Sequence, residues 1–214
     1  NIYNMDCIEG MKKYIPDNRV DLIVTDPPFG INFKAQRKNY HRVQSSVIEG
    51  YNEINKDDYY DFTVRWMGEA FRVLKETGSM YVFSGWNNLK EILNALDNTG
   101  FITVNHIIWK YQFGVVTKRK FVTSHYHCLY VCKNPKKRVF YPYSRYEPGI
   151  RVNNRDMRYG DVEYDIILDP FLGSGQVAVV SREMGRKYTG FEISGNYFEF
   201  IMKRLNRIPE EERK

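Results

Sequence analysis

Along this chain, short apolar runs alternate with stretches whose apolar positions recur at helical spacing. Val20 to Thr25 is an apolar run closed by an acid and two prolines, as expected of a buried strand that stops abruptly. Ser79 to Phe83, Ile102 to Trp109, His125 to Cys132, Asp165 to Leu168 and Tyr188 to Glu192 predict further strands. Between them, Asp57 to Lys75 sets Trp66, Met67, Ala70, Phe71, Val73 and Leu74 near a helical period, with Gly78 beyond its end. Leu89 to Leu96 predicts a helix closed by Gly100, Gln176 to Met184 another, and Ser194 to Arg207 a last one. Ile2 to Tyr14 reads as a strand and a short helix with Asp6 at their junction. Arg138 to Tyr141 predicts a strand pairing antiparallel with His125 to Cys132 across Asn134-Pro135. Gly30 to Asn55 lacks a sustained period and reads as a long loop, and Tyr111 to Phe121 as a basic one. The alternation predicts an α/β fold, with a mostly parallel central sheet and an antiparallel hairpin.

One connection reads as too short. Pro142 to Val162 is polar and irregular, and Glu163 leads straight into the next strand. A parallel crossover needs about a dozen residues or more, usually with a helix. None is evident, so the sequence predicts missing residues near Val162-Glu163.

The chain has 214 residues, 43% apolar and 27% charged, enough for one domain spanning 1–214 with a substantial core. No run is long enough for a membrane span, and no secretory signal is visible. Asn1 rather than Met stands first, which leaves room for leading residues. Cys7, Cys128 and Cys132 form no even framework, so a reducing, cytoplasmic setting is expected. The net charge of +6 weakly favours a polyanion, and its distribution is more informative. Lys34, Arg37, Lys38, His41 and Arg42 form one basic cluster, and Lys110, Lys118, Arg119 and Lys120 a second. A third runs from Lys133 to Arg158, interleaved with Tyr141, Tyr143, Tyr146 and Tyr159. Basic stretches containing aromatics suit phosphate contacts and base stacking. Loops that contact nucleic acid are therefore expected at about 30–55 and 111–162.

Two stretches carry candidate chemistry. After the first apolar run comes Asp26-Pro27-Pro28-Phe29. A carboxylate accepts hydrogen bonds, two prolines remove N–H donors and leave bare carbonyls, and a ring stacks on a flat heterocycle. The tetrad is suited to holding the exocyclic amine of a planar base. The second stretch is Asp169-Pro170-Phe171-Leu172-Gly173-Ser174-Gly175, set between a strand and a helix, with a following strand ending at Glu192. Glycines permit a tight turn and close ligand approach, and an acid at such a strand end commonly holds ribose hydroxyls. Gly173-x-Gly175-x-x-Ala178 also matches a dinucleotide fingerprint, so a nicotinamide-dependent dehydrogenase is a rival reading. The dehydrogenase has no use for the tetrad. His125, His127, Cys128 and Cys132 match no common zinc spacing, and no metal is expected.

With both stretches in place, the chain resembles the S-adenosylmethionine-dependent amino-methyltransferases of DNA, in the beta group, where the catalytic motif precedes the cofactor motif. Asn4-Met5-Asp6-Cys7-Ile8-Glu9-Gly10-Met11 resembles the family's opening segment. The resemblance implies a Rossmann-like methyltransferase fold with permuted motif order. It implies catalysis by Asp26, Pro27, Pro28 and Phe29, and cofactor binding by Asp6, Cys7, Asp169, Phe171, Gly173, Ser174, Gly175, Glu192 and Ile193. Methyl transfer to the N6 amine of a flipped adenine is the implied reaction, because Asp at position 26 leans to adenine. Cytosine N4 is the alternative base, and a binding module without catalysis the alternative from another class. Double-stranded DNA is the implied partner. The resemblance leaves room for a cognate restriction endonuclease and a homodimer, and gives no role to a membrane. The chain departs from the family in carrying Phe29 where Tyr is commoner, His125-Tyr126 where His-Glu is frequent, and no Lys-Pro pair before the cofactor strand.

Overall fold

The computed structural model describes residues 1–30, 54–111, 118–119, 121–140 and 166–206. The expected loop at 30–55, the basic cluster after the tetrad and the junction at Val162-Glu163 lie largely or wholly outside them.

In chain order the elements are β1 (Ile2–Tyr3), α1 (Cys7–Tyr14), β2 (Val20–Thr25), α2 (Tyr59–Val73), β3 (Leu74–Ser84) and α3 (Leu89–Thr99). There follow β4 (Ile102–Lys110), β5 (His125–Cys132), β6 (Ile166–Asp169), α4 (Gln176–Glu183), β7 (Lys187–Phe191) and α5 (Gly195–Asn206). All seven strands form one sheet in the order β1-β7-β6-β2-β3-β5-β4. The pairs from β1 through β3 are parallel, while β5 runs antiparallel to both its neighbours, β3 and β4. Chain order reverses direction between β6 and β2, which makes their carboxyl ends a topological switch point, where ligands of open α/β sheets bind.

Helices cover both faces unequally. One face carries the larger core, in which Trp66, Met67, Ile92 and Leu96 pack on Ile23, Met80, Val82 and Leu129. On the other, Ala178 and Val179 of α4 meet Ile201 and Leu205 of α5 around Leu172. Each fully buried large side chain contributes about 1.5–3 kcal/mol, so these clusters hold the strand ends in place. Arg72 joins α2 to the α1–β2 connection, donating to the carbonyls of Met11 and Ile15 at 2.9 and 3.0 Å and pairing with Asp17 and Glu69. Asp21 links three strands: Lys75 pairs with it at 2.6 Å, and the N–H of Ile166 donates to it at 2.9 Å.

Two sequence expectations are corrected. The helix expected to reach Lys75 ends at Val73, and Leu74 and Lys75 open β3. Leu74 still fits the helical period, but its backbone is already extended at φ −69°, ψ 138°. Arg138 to Phe140 forms no strand; the N–H of Val139 donates to the Thr77 carbonyl at 2.9 Å instead. The antiparallel partners of β5 are β3 and β4, so the hairpin of this sheet is β4–β5. Among the described residues, no helix is long and apolar enough to cross a membrane.

Candidate active site

The tetrad leaves the carboxyl end of β2, and hydrogen bonds hold its exit. The N–H of Ile54 donates to the Phe29 carbonyl at 3.4 Å, and the buried Asn88 amide donates to the Gly30 carbonyl at 3.1 Å. Gly30 and Ile54 form a parallel bridge, so the chain returns beside the point where it left. On the neighbouring strand, β6 ends at Asp169 and turns through Pro170 to Gly175 into α4. That turn is anchored by the N–H of Leu172 on the Phe191 carbonyl at 3.0 Å and of Gly175 on the Leu172 carbonyl at 2.7 Å.

The two stretches open on one cavity of about 620 Å³. Asp26, Pro27, Pro28 and Phe29 line it from the β2 side. Asp169, Phe171, Gly173 and Ser174 line it from the β6 turn. Glu192 and Ile193 close it after β7, with Asp6 and Cys7 above β1. Gly175 is the one expected cofactor residue outside the lining. It holds φ 75°, and a Cβ there would stand 2.8 Å from Cγ2 of Ile201, so its bare backbone serves the close approach of α5 to α4.

Several lining residues have a second structural duty. Asp6 caps α1, its Oδ1 accepting from the N–H groups of Ile8 and Glu9 at 2.9 and 3.1 Å. Phe171 lies edge-on to Trp66 at 5.4 Å and tilted to Phe62 at 5.9 Å, joining the cavity floor to the core. Glu192 accepts from Gly173 N–H at 2.9 Å and from Ser194 N–H at 2.8 Å. Asn4 donates to the carbonyls of Glu192 and Ile193, fixing the chain just after β7.

The cavity shifts its acids. Asp26 is accessible from the cavity mouth, yet the surrounding protein displaces enough water to push its carboxyl up to about 6. Burial pushes Asp169 up to about 7, against the N–H of Phe171, with the charges of Asp26 and Glu192 adding to the rise. The buried Thr25 hydroxyl lies near enough to favour the charged form of Asp169, but without a well-formed hydrogen bond. Burial also raises Glu192, opposed by its two backbone donors. Cys7 is raised by burial first and the Asp6 charge second, which keeps its thiol protonated and unreactive at neutral pH.

Met5, Phe62, Phe83 and Tyr197 also line the cavity and were not singled out from sequence. Phe62 and Tyr197 fall on helical periods and Phe83 in a strand, so each reads as core. The available signal was position: Phe83 stands at the carboxyl end of a strand next to the switch point.

A family profile described as DNA methylase, covering N6 and N4 methyltransferases, matches residues 20–164 and 162–203. The chain belongs to the DNA methylase family. The two matched stretches meet where the sequence predicts a missing crossover. Among relatives, the type II methyltransferase M.HpaI of Haemophilus parainfluenzae is 27% identical over 233 residues, covering 91% of this chain and 70% of M.HpaI. Two of the solved structures that share the fold serve as comparisons. One is M1.HpyAVI in complex with its cofactor SAM, with a TM-score of 0.66 at 21% identity, covering 96% of this chain and 98% of that one. The other is the cytosine-N4-specific PvuII DNA methyltransferase, with a TM-score of 0.70 at 19% identity, covering 100% and 89%.

A DNA methylase of this kind takes its methyl group from S-adenosylmethionine. The residues present fit that molecule. The turn at Gly173 has room for close approach, since a Cβ there would meet only the Phe171 carbonyl, at 3.9 Å. The Glu192 carboxylate has about four acceptor positions and gives two to the backbone, leaving acceptors for ribose hydroxyls. Acids ring a cavity that would receive a cationic donor.

Proposed function

We propose that this DNA methylase is site-specific and methylates the N6 amine of an adenine turned out of duplex DNA. The observation that carries the reading is the opening of Asp26 and the Gly173 turn onto one cavity from adjacent strands. Leu22 and Ile23 pair with Ile167 and Leu168, and neighbouring strands lie about 4.8 Å apart, so the tetrad and the turn stand side by side.

Bound S-adenosylmethionine supplies an electrophilic methyl group on a sulfonium. Glu192, Ile193, Asp6, Phe171 and the turn at Gly173 would hold it. The amine of adenine is a weak nucleophile because its lone pair is delocalised into the ring. The Asp26 carboxylate and the Pro27 carbonyl accept hydrogen bonds from its two N–H groups and draw the nitrogen toward tetrahedral geometry, which frees the lone pair. Neither proline has an N–H, so no donor competes for that position. Once methylated, the nitrogen is cationic and acidic, and its proton passes to Asp26 or to solvent. Asp26 therefore acts as an acceptor that positions the amine more than as a strong base, and most of the acceleration comes from orientation and exclusion of water.

Turning the base out costs a few kcal/mol. Stacking on Phe29 offsets about 1–3 kcal/mol of this, and basic loops on the phosphates contribute the remainder. Asp rather than Ser at the head of the tetrad supports adenine over cytosine. The test is to expose unmodified DNA to the purified protein with S-adenosylmethionine and sequence the modified bases. N6-methyladenine confined to one short motif is expected; N4-methylcytosine, or no modified base, would contradict the proposal.

A further inference from the structure

Within the reading just given, we infer that Asn88 is a positioning residue for methyl transfer, holding Phe29 in place through Gly30 and Gly85. Asn88 stands in the turn between β3 and α3, at the carboxyl rim of the sheet, and is only 2% exposed. Its Nδ2 donates to the Gly30 carbonyl at 3.1 Å. Gly30 follows Phe29 directly, so this bond fixes the backbone just beyond the ring. The backbone N–H of Asn88 donates to the Gly85 carbonyl at 3.2 Å, and the buried Ser84 hydroxyl donates to the same carbonyl at 2.9 Å. Gly85 lies against the ring itself, since a Cβ added there would stand 3.4 Å from Cε1 of Phe29. Gly30 is hemmed in on its own side, where a Cβ would stand 2.4 Å from Cγ of the buried Tyr59. One short turn thus reaches the Phe29 ring at Gly85 and the chain after it at Gly30.

The helix itself gains little from this amide. An Asn just before a helix ordinarily accepts from the first helical N–H groups. At φ −113°, ψ 1°, Asn88 makes no side-chain bond to α3. Its Oδ1 is buried and, among the described residues, has no partner. Turning the amide over would set its oxygen against the Gly30 oxygen, so the donor faces Gly30. Burying a polar atom without a partner costs stability. A satisfied donor, an unpaired acceptor and an unused cap describe a side chain placed for the tetrad and not for the helix. Local costs of this kind gather at functional sites. Asn88 does not line the cavity, so its effect passes through Phe29.

The experiment measures methyl transfer onto a duplex containing the motif found by sequencing, for the wild type, Asn88→Leu, Phe29→Leu and the double variant. Calorimetric binding of S-adenosylmethionine and denaturant unfolding are measured on the same samples. Leu keeps the branching of Asn while removing both its donor and its unpaired oxygen. Asn88→Leu is expected to lower kcat/KM for DNA by about 10- to 100-fold, the effect of a small misplacement at a reacting centre. Cofactor binding and the unfolding midpoint are expected to stay at wild-type values. Added to Phe29→Leu, the same substitution is expected to cost less than about threefold, because residues that act as one unit are not additive. Wild-type kcat/KM in Asn88→Leu would overturn the assignment. So would an equal loss in both backgrounds, which would route the effect past Phe29. Lost S-adenosylmethionine binding or a lowered unfolding midpoint would also overturn it, by making Asn88 a residue of the fold. A wild type that modifies no DNA would instead overturn the methyltransferase reading on which this one rests.

Discussion

The N–H of Gly173 donates to Oε2 of Glu192 at 2.9 Å, so the turn after β6 is fastened to the residue that follows β7. The second carboxylate oxygen is taken up by Ser194 N–H at 2.8 Å, at the entry to α5. One acid thus sets the shape of the cofactor side of the cavity and leaves acceptors facing into it.

Glu192→Ala removes that fastening together with the acceptors proposed for the ribose hydroxyls. Hydrogen bonds to a charged group are each worth about 1.5–3 kcal/mol. The dissociation constant for S-adenosylmethionine should rise at least about 10-fold, while kcat at saturating cofactor falls much less. Calorimetry and steady-state kinetics separate the two.

The pH profile of methyl transfer should show an acid limb near 6. Ionised Asp26 accepts strongly through both oxygens, whereas the protonated acid is a weaker acceptor and carries a competing O–H donor, and its surroundings raise it from the ordinary 3.8 to about 6. Below that value kcat/KM should fall about tenfold per pH unit, whereas an ordinary aspartate would hold activity down to about pH 4. Single-turnover rates measured from pH 5 to 8 check this.

Asp169 should make the fold less stable as pH rises through neutrality. Unfolded, it loses its proton near 3.8; folded, it keeps it up to about 7. Between those values the folded state binds more protons, so its contribution is most favourable below pH 4 and declines as pH climbs toward 7. Asp169→Asn retains an acceptor for the Phe171 N–H without the buried charge. It should raise stability at pH 8 by on the order of 3 kcal/mol, and by little at pH 4. Thermal melts at the two pH values give the comparison.

Two left-handed glycines should respond differently to alanine. Gly175 at φ 75° would put a Cβ 2.8 Å from Ile201, while Gly185 at φ 66° has open space around the added atom. Gly185→Ala should cost about 1–2 kcal/mol from backbone strain alone. Gly175→Ala should cost about 2–5 kcal/mol, because overpacking against α5 is added. Denaturant titrations of both variants would show the gap.

Much of this was legible in the chain because local signals and tertiary needs agreed. β2 spans the run from Val20 to Thr25, since the prolines that make Asp26 useful also end the strand. Gly100 caps α3 in the left-handed conformation, as a glycine after a helical period does. What escaped reading depended on partners distant in sequence. The pairing of β5 with β3 and β4 leaves no mark in the residues after Asn134, and Leu74 satisfies the helical period although it already belongs to the sheet. The duty of Gly175 is written in Ile201, and the place of Phe83 on the cavity wall follows from strand direction, which periodicity does not encode.

The most direct test of the central claim is the transfer of labelled methyl from S-adenosylmethionine to duplex DNA by Asp26→Ala, with cofactor affinity measured on the same sample. The account predicts transfer reduced by at least about 1,000-fold with S-adenosylmethionine bound as tightly as by the wild type. Transfer within a few-fold of the wild type would contradict it, because the amine would then be held by something other than Asp26.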